Sequence, residues 1–141
     1  MKNENQIKLD VDDKVEKSKG GLDVFFHSRK NSFNHAFQGI VEVYNGELNF
    51  KLHLAAAVFV LCSAWFFQVS LTEWSLLILA ITLVLSIEIL NTSVEQICDF
   101  IHPQKNHCIK SIKDMGAAAT LIAAIGSIFI GLLVFLPYFF S

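Results

Sequence analysis

Trp74-Ser-Leu-Leu-Ile-Leu-Ala-Ile-Thr-Leu-Val-Leu-Ser-Ile-Glu88-Ile-Leu-Asn91-Thr-Ser-Val-Glu95-Gln-Ile-Cys-Asp99 carries no charge until Glu88, and then places two glutamates, an asparagine and an aspartate close together. At about 100° per residue on a helix, Glu88, Asn91, Glu95 and Asp99 sit at roughly 0°, 300°, 340° and 20°, so they share one narrow stripe. Ile87, Ile89, Leu90, Val94 and Ile97 flank it with apolar surface. A hydrocarbon core of about 30 Å takes about 20 residues to cross, and this run reaches that length only by carrying Glu88 and Asn91 inward. An ionisable group inside a membrane span is costly unless paired or wetted, and marks a functional site by default.

Two more apolar runs lie on either side. Leu52 to about Val69 is nearly all apolar and ends in a polar break, Gln68 to Glu73; Met115 to Phe140 is the most uniform. In the latter, Gly116, Ala117, Ala118, Ala119, Ala123, Ala124, Gly126, Ser127 and Gly131 supply small residues for close helix contact. The fold class predicted is an all-α membrane protein with three transmembrane helices, spanning about 52–69, 74–99 and 115–137. Upstream, Asn31-Ser32 can cap a helix over about 31–46 in which Phe33, Phe37, Ile40, Val41 and Tyr44 recur at three and four residue spacing. Asn34, His35, Gln38 and Glu42 take the other side, the pattern of an amphipathic surface helix lying at the bilayer interface. Residues 1–28 read as a disordered polar tail ahead of one domain, 29–141, because Lys8-Leu-Asp-Val-Asp-Asp13 puts acids where a signal peptide would need its apolar core.

Composition agrees with a membrane domain: 141 residues, 53% hydrophobic and 17% charged. Every Lys and Arg lies at or before Lys51 or between Lys105 and Lys113. By the positive-inside rule the N-terminus and the 99–114 loop are expected in the cytoplasm, with Ser70 and the C-terminus outside a bacterial plasma membrane. Cys62, Cys98 and Cys108 are odd in number and form no CxxC pair, which argues against a disulfide framework.

Lys113 and Asp114 open the third run just where Glu95 and Asp99 close the second, and Glu47, Asn49 and Lys51 enter the membrane at the same level. Paired glutamates with a lysine and an asparagine, and no Gly-rich phosphate loop, suit Mg²⁺ binding and phosphate charge neutralisation, with one carboxylate left as a base. Glu88, Asp99 and Lys51 are the groups a lipid headgroup would meet. Three helices cannot by themselves bury such a stripe, so copies of the chain are expected to associate around it. A zinc site from Cys98, Asp99, His102, His107 and Cys108 has an uncommon spacing with adjacent ligands. A small proton-coupled transporter would also place a glutamate deep in a span, but has no use for a phosphate-binding lysine beside it.

Glu88-Ile-Leu-Asn-Thr-Ser-Val-Glu95, followed by Lys113-Asp-Met-Gly-Ala-Ala-Ala119 and preceded by Glu47-Leu-Asn-Phe-Lys-Leu-His53, resembles the small prokaryotic integral-membrane lipid kinases, the diacylglycerol kinase and undecaprenol kinase family. The resemblance covers about Ser32 to Pro137. It implies a homotrimer with sites shared between subunits, ATP as phosphoryl donor, Mg²⁺ as the metal and a membrane lipid as acceptor. It implies that Glu88 is the general base for the lipid hydroxyl, with Asn91 beside it, and that Glu47 and Glu95 bind the metal. Lys113 and Asp114 match contacts to the nucleotide phosphates, and Arg29 matches a basic nucleotide contact across a gap. Many relatives carry a Tyr-His pair where this chain has Lys105-Asn106, so a nucleotide contact from Asn106 departs from the pattern. Asn49, Lys51 and His53 resemble the undecaprenol branch, as does Thr92, whereas Met115-Gly-Ala-Ala is similar to the diacylglycerol branch; the reading favours undecaprenol, with diacylglycerol as the alternative.

Overall fold

The computed structural model describes residue 29, residues 31–104 and residues 106–140. The tail expected over residues 1–28 lies outside them, as does Lys105. Among the described residues all regular structure is helical: a run over residues 31–46 (α1), then Leu48–Phe67 (α2), Leu71–Ile101 (α3) and His107–Phe140 (α4). The chain divides into two units, Met1–Val41 and Glu42–Ser141. In the first, the described residues are helical and exposed, Phe33 and Phe37 included. Residue 29 is helical as well, ahead of the Asn31-Ser32 pair expected to cap α1.

The second unit holds three helices long and apolar enough to cross a membrane. α2 has 20 residues, α3 31 and α4 34, or about 30, 46 and 51 Å at 1.5 Å per residue. α2 therefore matches a hydrocarbon core of about 30 Å, and α3 and α4 outrun it. Phe59, Trp65, Leu79, Ile122 and Leu133 remain exposed on the outer faces, as lipid-facing side chains must.

α2 and α3 are joined by a turn of only three residues, shorter than the polar break in the sequence. Gln68 takes a left-handed conformation (φ 53°, ψ 44°) that ends α2. Ser70 then starts α3 with a capping box: its hydroxyl accepts from the Glu73 backbone N–H at 3.4 Å, and Glu73 Oε2 accepts from the Ser70 N–H at 2.7 Å. That box draws Leu71–Glu73 into the helix. Tyr138 Oη donates to the same Glu73 oxygen at 2.8 Å, tying α4 to the start of α3. Beneath this polar clasp, Ala64, Val69, Leu77 and Val134 form the buried apolar cluster, with Phe67 against the rings of Phe135, Tyr138 and Phe139 at 5.2 to 6.0 Å.

The other end differs from the long basic loop expected over 99–114, because among the described residues there only 102–104 and 106 are non-helical. Pro103 disfavours a helical conformation at His102 (φ −146°, ψ 86°), which stops α3. Asn106 Oδ1 accepts from the Cys108 N–H at 2.8 Å and caps α4, while Lys110 pairs with Asp114 one turn on at 2.6 Å. α4 thus gains an amphipathic beginning eight residues ahead of its apolar run.

α3 packs chiefly on α4 and more lightly on α2. Two contacts set the antiparallel α3–α4 register: Gly116 lies against Asn91, where an added Cβ would collide with the Asn91 amide oxygen, and Ser127 Oγ reaches the Ala80 carbonyl at 3.3 Å. Small side chains at these crossings let the helices approach. Tyr138→Phe is expected to lower the thermal unfolding midpoint in detergent micelles by releasing α4 from Glu73. Ser70→Ala should lower it further, since the lost cap costs about 1 kcal/mol of stability, and circular dichroism melts read both.

Candidate active site

The acidic stripe of α3 is graded by depth. Counting about 20 residues of hydrocarbon from the polar clasp at Leu71 brings the far boundary to about residue 90. Glu88 lies just inside it and is buried, 2% exposed; Asn91 and Glu95 follow, half-buried; Asp99 is exposed. Thr92, one turn further along α3 and also buried, donates its hydroxyl to the Glu88 backbone carbonyl at 3.1 Å. Among the described residues no cation is paired with Glu88 or Glu95. The carboxylate deepest in the membrane is therefore the one with least compensation, a cost retained where a ligand makes use of it.

Asn91 joins the next two positions. Its amide nitrogen donates to Glu95 Oε1 at 2.9 Å, which holds that carboxylate by one of its two oxygens. Its amide oxygen is buried against Gly116 without a hydrogen-bond partner. The glycine is needed for this seating: an alanine would have to push the amide aside.

α4 delivers the cations. Lys113 Nζ donates to Asp99 Oδ1 at 2.6 Å, so the lysine read as a phosphate contact is brought to the end of the acidic stripe. Asp114, expected to work with Lys113, instead accepts from Lys110 on the exposed side of α4. Asn106, a candidate nucleotide contact, serves as the α4 cap. Glu47 sits at the break between α1 and α2 as the α2 N-cap, half-buried, with its carboxylate unused in capping. Lys51 folds back on the end of α1, donating to the Asn45 carbonyl at 3.3 Å with its ammonium 5.5 Å from the Tyr44 ring centre. Arg29 belongs to the first unit, not to the helices that carry the stripe.

Along the membrane-embedded part, α2, α3 and α4 enclose an apolar groove of about 640 Å³ that runs from His53 and Leu85 to Phe67 and Phe139. Leu85 is one turn from Glu88 on α3, so the groove opens beside the buried carboxylate. Among the described residues no three His, Cys, Asp or Glu side chains are grouped to hold a metal ion, those of the Cys98, Asp99, His102, His107 and Cys108 set included. The donors that are present are carboxylate oxygens, hard ligands suited to Mg²⁺, which is commonly held by one or two carboxylates with phosphate oxygens completing its shell. Reading the sequence missed the Gly116 seat and the buried Thr120. Their signal was the 116, 120, 123, 127 spacing on one face of α4, which reads first as packing.

The family model of prokaryotic diacylglycerol kinase matches residues 34–135. The chain is 41% identical over 106 residues to an undecaprenol kinase of Bacillus subtilis, covering 75% of this chain and 86% of that one. It is 32% identical over 107 residues to a diacylglycerol kinase of Synechocystis, covering 75% and 61%. To a diacylglycerol kinase of Escherichia coli it is 31% identical over 91 residues, covering 64% and 75%. The matched region contains Glu47, the whole stripe from Glu88 to Asp99, and Lys113 with Asp114. Taken with the three apolar helices and the acidic, lysine-bearing end they share, this places the chain in the prokaryotic diacylglycerol kinase family of membrane lipid kinases.

Proposed function

We propose that the protein transfers the γ-phosphoryl group of ATP to the primary hydroxyl of a membrane lipid, with undecaprenol as the acceptor. The observation that supports this most is the descent of the stripe from exposed Asp99, paired with Lys113, to Glu88 buried beside an apolar groove. Nucleotide phosphates reach one end of it from water, and a lipid reaches the other from the bilayer. The undecaprenol kinase relative at 41% identity over 86% of its length favours the prenol; the diacylglycerol kinases at about 30% keep diacylglycerol as the second candidate.

In this reading Glu88 accepts the proton of the lipid hydroxyl as its oxygen bonds to the γ-phosphorus, and the bond to the β-phosphate oxygen breaks with its electron pair leaving on ADP. Lys113 exchanges part of its pairing with Asp99 for the phosphates, and Asp114, Asn106 and Arg29 are further nucleotide contacts. Asn91 holds Glu95 by Oε1 and leaves the second oxygen available to a ligand. Glu95 and Glu47 are the residues that would hold Mg²⁺, which when bound neutralises phosphate charge. Asp99 and Lys51 border the headgroup. Phosphoryl transfer of this kind depends mainly on positioning and charge stabilisation, which is why a rigid helix surface can serve as the site.

The functional unit is a homotrimer with shared sites, in which copies of the chain cover the acidic edge of α3. α1 is an amphipathic helix on the bilayer surface, and the lipid kinase domain spans 29–141. The N-terminus and the α3–α4 connection face the bacterial cytoplasm and the C-terminus faces outside, as the distribution of Lys and Arg supports.

Purified protein in mixed micelles with labelled ATP should phosphorylate undecaprenol with a higher kcat/KM than diacylglycerol. The reverse order would assign it to diacylglycerol, and transfer to neither would overturn the kinase reading. Glu95→Gln keeps size and loses charge, so it is expected to abolish turnover at saturating Mg²⁺ while helical content stays the same. Glu88→Gln is expected to lower kcat by about 10² to 10⁴ fold, the usual contribution of a general base, with ATP binding nearly unchanged. Loss of ATP binding in parallel would make Glu88 a ligand of the nucleotide complex instead.

A further inference from the structure

Thr120 is buried in α4, 8% exposed, and its hydroxyl has no hydrogen-bond partner among the described residues. Hydroxyls in helices ordinarily satisfy themselves on the carbonyl four residues back. Ser63, Ser75, Thr92, Ser93 and Ser127 all do so here, at 2.9 to 3.1 Å. Thr120 forgoes that bond inside an apolar helix, where an unmet hydroxyl is costly.

Its position follows from the α3–α4 register. Gly116 meets Asn91 and Ser127 meets Ala80, and these crossings are eleven residues apart on each helix, so the antiparallel register is constant between them. Three residues back from Asn91 is Glu88, and three on from Gly116 is Ala119; Thr120 is therefore one residue, about 1.5 Å, from the level of Glu88. Gly116, Thr120, Ala123 and Ser127 follow a four-three-four spacing, so Thr120 shares the face turned to α3. Side chains lean towards the N-terminus of their own helix. In an antiparallel pair with Thr120 slightly the deeper, the two side chains lean towards each other.

We propose that the Thr120 hydroxyl is a further substrate-positioning group, which holds the oxygen of the acceptor alcohol against Glu88. The inference rests on the lipid kinase reading. The acceptor oxygen gives its proton to Glu88, uses one electron pair to attack the γ-phosphorus, and accepts the Thr120 O–H on the other; Thr120 keeps its proton throughout. Two polar groups from two helices then fix the alcohol in a region that otherwise offers only hydrocarbon. The ligand class is a primary alcohol at the end of a lipid, and the contact is independent of the tail.

The full-length protein in mixed micelles tests this with T120V, T120S and E88Q, each assayed with undecaprenol and diacylglycerol. T120V preserves shape and removes the hydroxyl. It is expected to lower kcat/KM for the preferred lipid about tenfold, the worth of one hydrogen bond, with KM for ATP unchanged. Its thermal midpoint without lipid should be equal to or above that of the parent, because a hydroxyl with no protein partner has been removed. T120S should stay within severalfold of the parent. Unchanged kcat/KM in T120V overturns the proposal, as does a lower midpoint that tracks the activity loss and is not rescued in T120S. E88Q separates the two readings: an inactive E88Q with a fully active T120V removes Thr120 and keeps the base, whereas an active E88Q with an impaired T120V removes the base and keeps the alcohol contact.

Discussion

The close antiparallel contact between α3 and α4 is the constraint on which the polar end of the molecule depends. Gly116 lets the α4 backbone come up to Asn91, and that approach sets which residues face each other along eleven residues of both helices. From it follow the burial of Glu88, the seating of the Asn91 amide and its hold on Glu95, and the reach of Lys113 across to Asp99. A bulkier residue at this crossing would alter several of these at once, because packed helices interlock and do not deform smoothly.

Stability and chemistry occupy opposite ends of the bundle. At the clasp end, Ser70, Glu73 and Tyr138 satisfy one another over the apolar cluster of Ala64, Val69, Leu77 and Val134, with Phe67 packed against it. Toward the other end the sequence breaks the rule that buried polar groups are paired: the Asn91 amide oxygen and the Thr120 hydroxyl have no partner among the described residues, and Glu88 carries a carboxyl into an apolar setting. Such violations concentrate where a protein binds something. An enzyme that brings a water-soluble nucleotide to a lipid alcohol needs a path of polar groups into the membrane, and that path cannot also be the best packed part of the fold.

Helix length serves the same end. α2 is cut to the thickness of the hydrocarbon, but α3 and α4 continue by about ten residues or more, so Glu95, Asp99, Lys110 and Lys113 stand in or near the headgroup region. A charged cluster there can meet phosphates from water while remaining rigidly connected to the buried Glu88. Elements that are helical throughout hold such a constellation more firmly than loops do.

Whatever depends on order along one helix was legible in the sequence. The stripe of Glu88, Asn91, Glu95 and Asp99, the apolar runs and the small residues of α4 follow from a period of 3.6 and from transfer free energies, which need no knowledge of neighbours. The stop at Pro103 and the cap at Asn106 are local signals as well, but the basic character of residues 105–113 led to a loop over 99–114 and to Asn106 as a nucleotide contact. What crosses between helices was not legible: that Lys113 pairs with Asp99 while Asp114 pairs with Lys110, that Tyr138 reaches back to Glu73, and that the α3–α4 register brings Thr120 within one residue of the level of Glu88. Those depend on the register and rotation of two helices, fixed by side-chain volumes at a few crossings, and a one-dimensional period does not carry the phase between them.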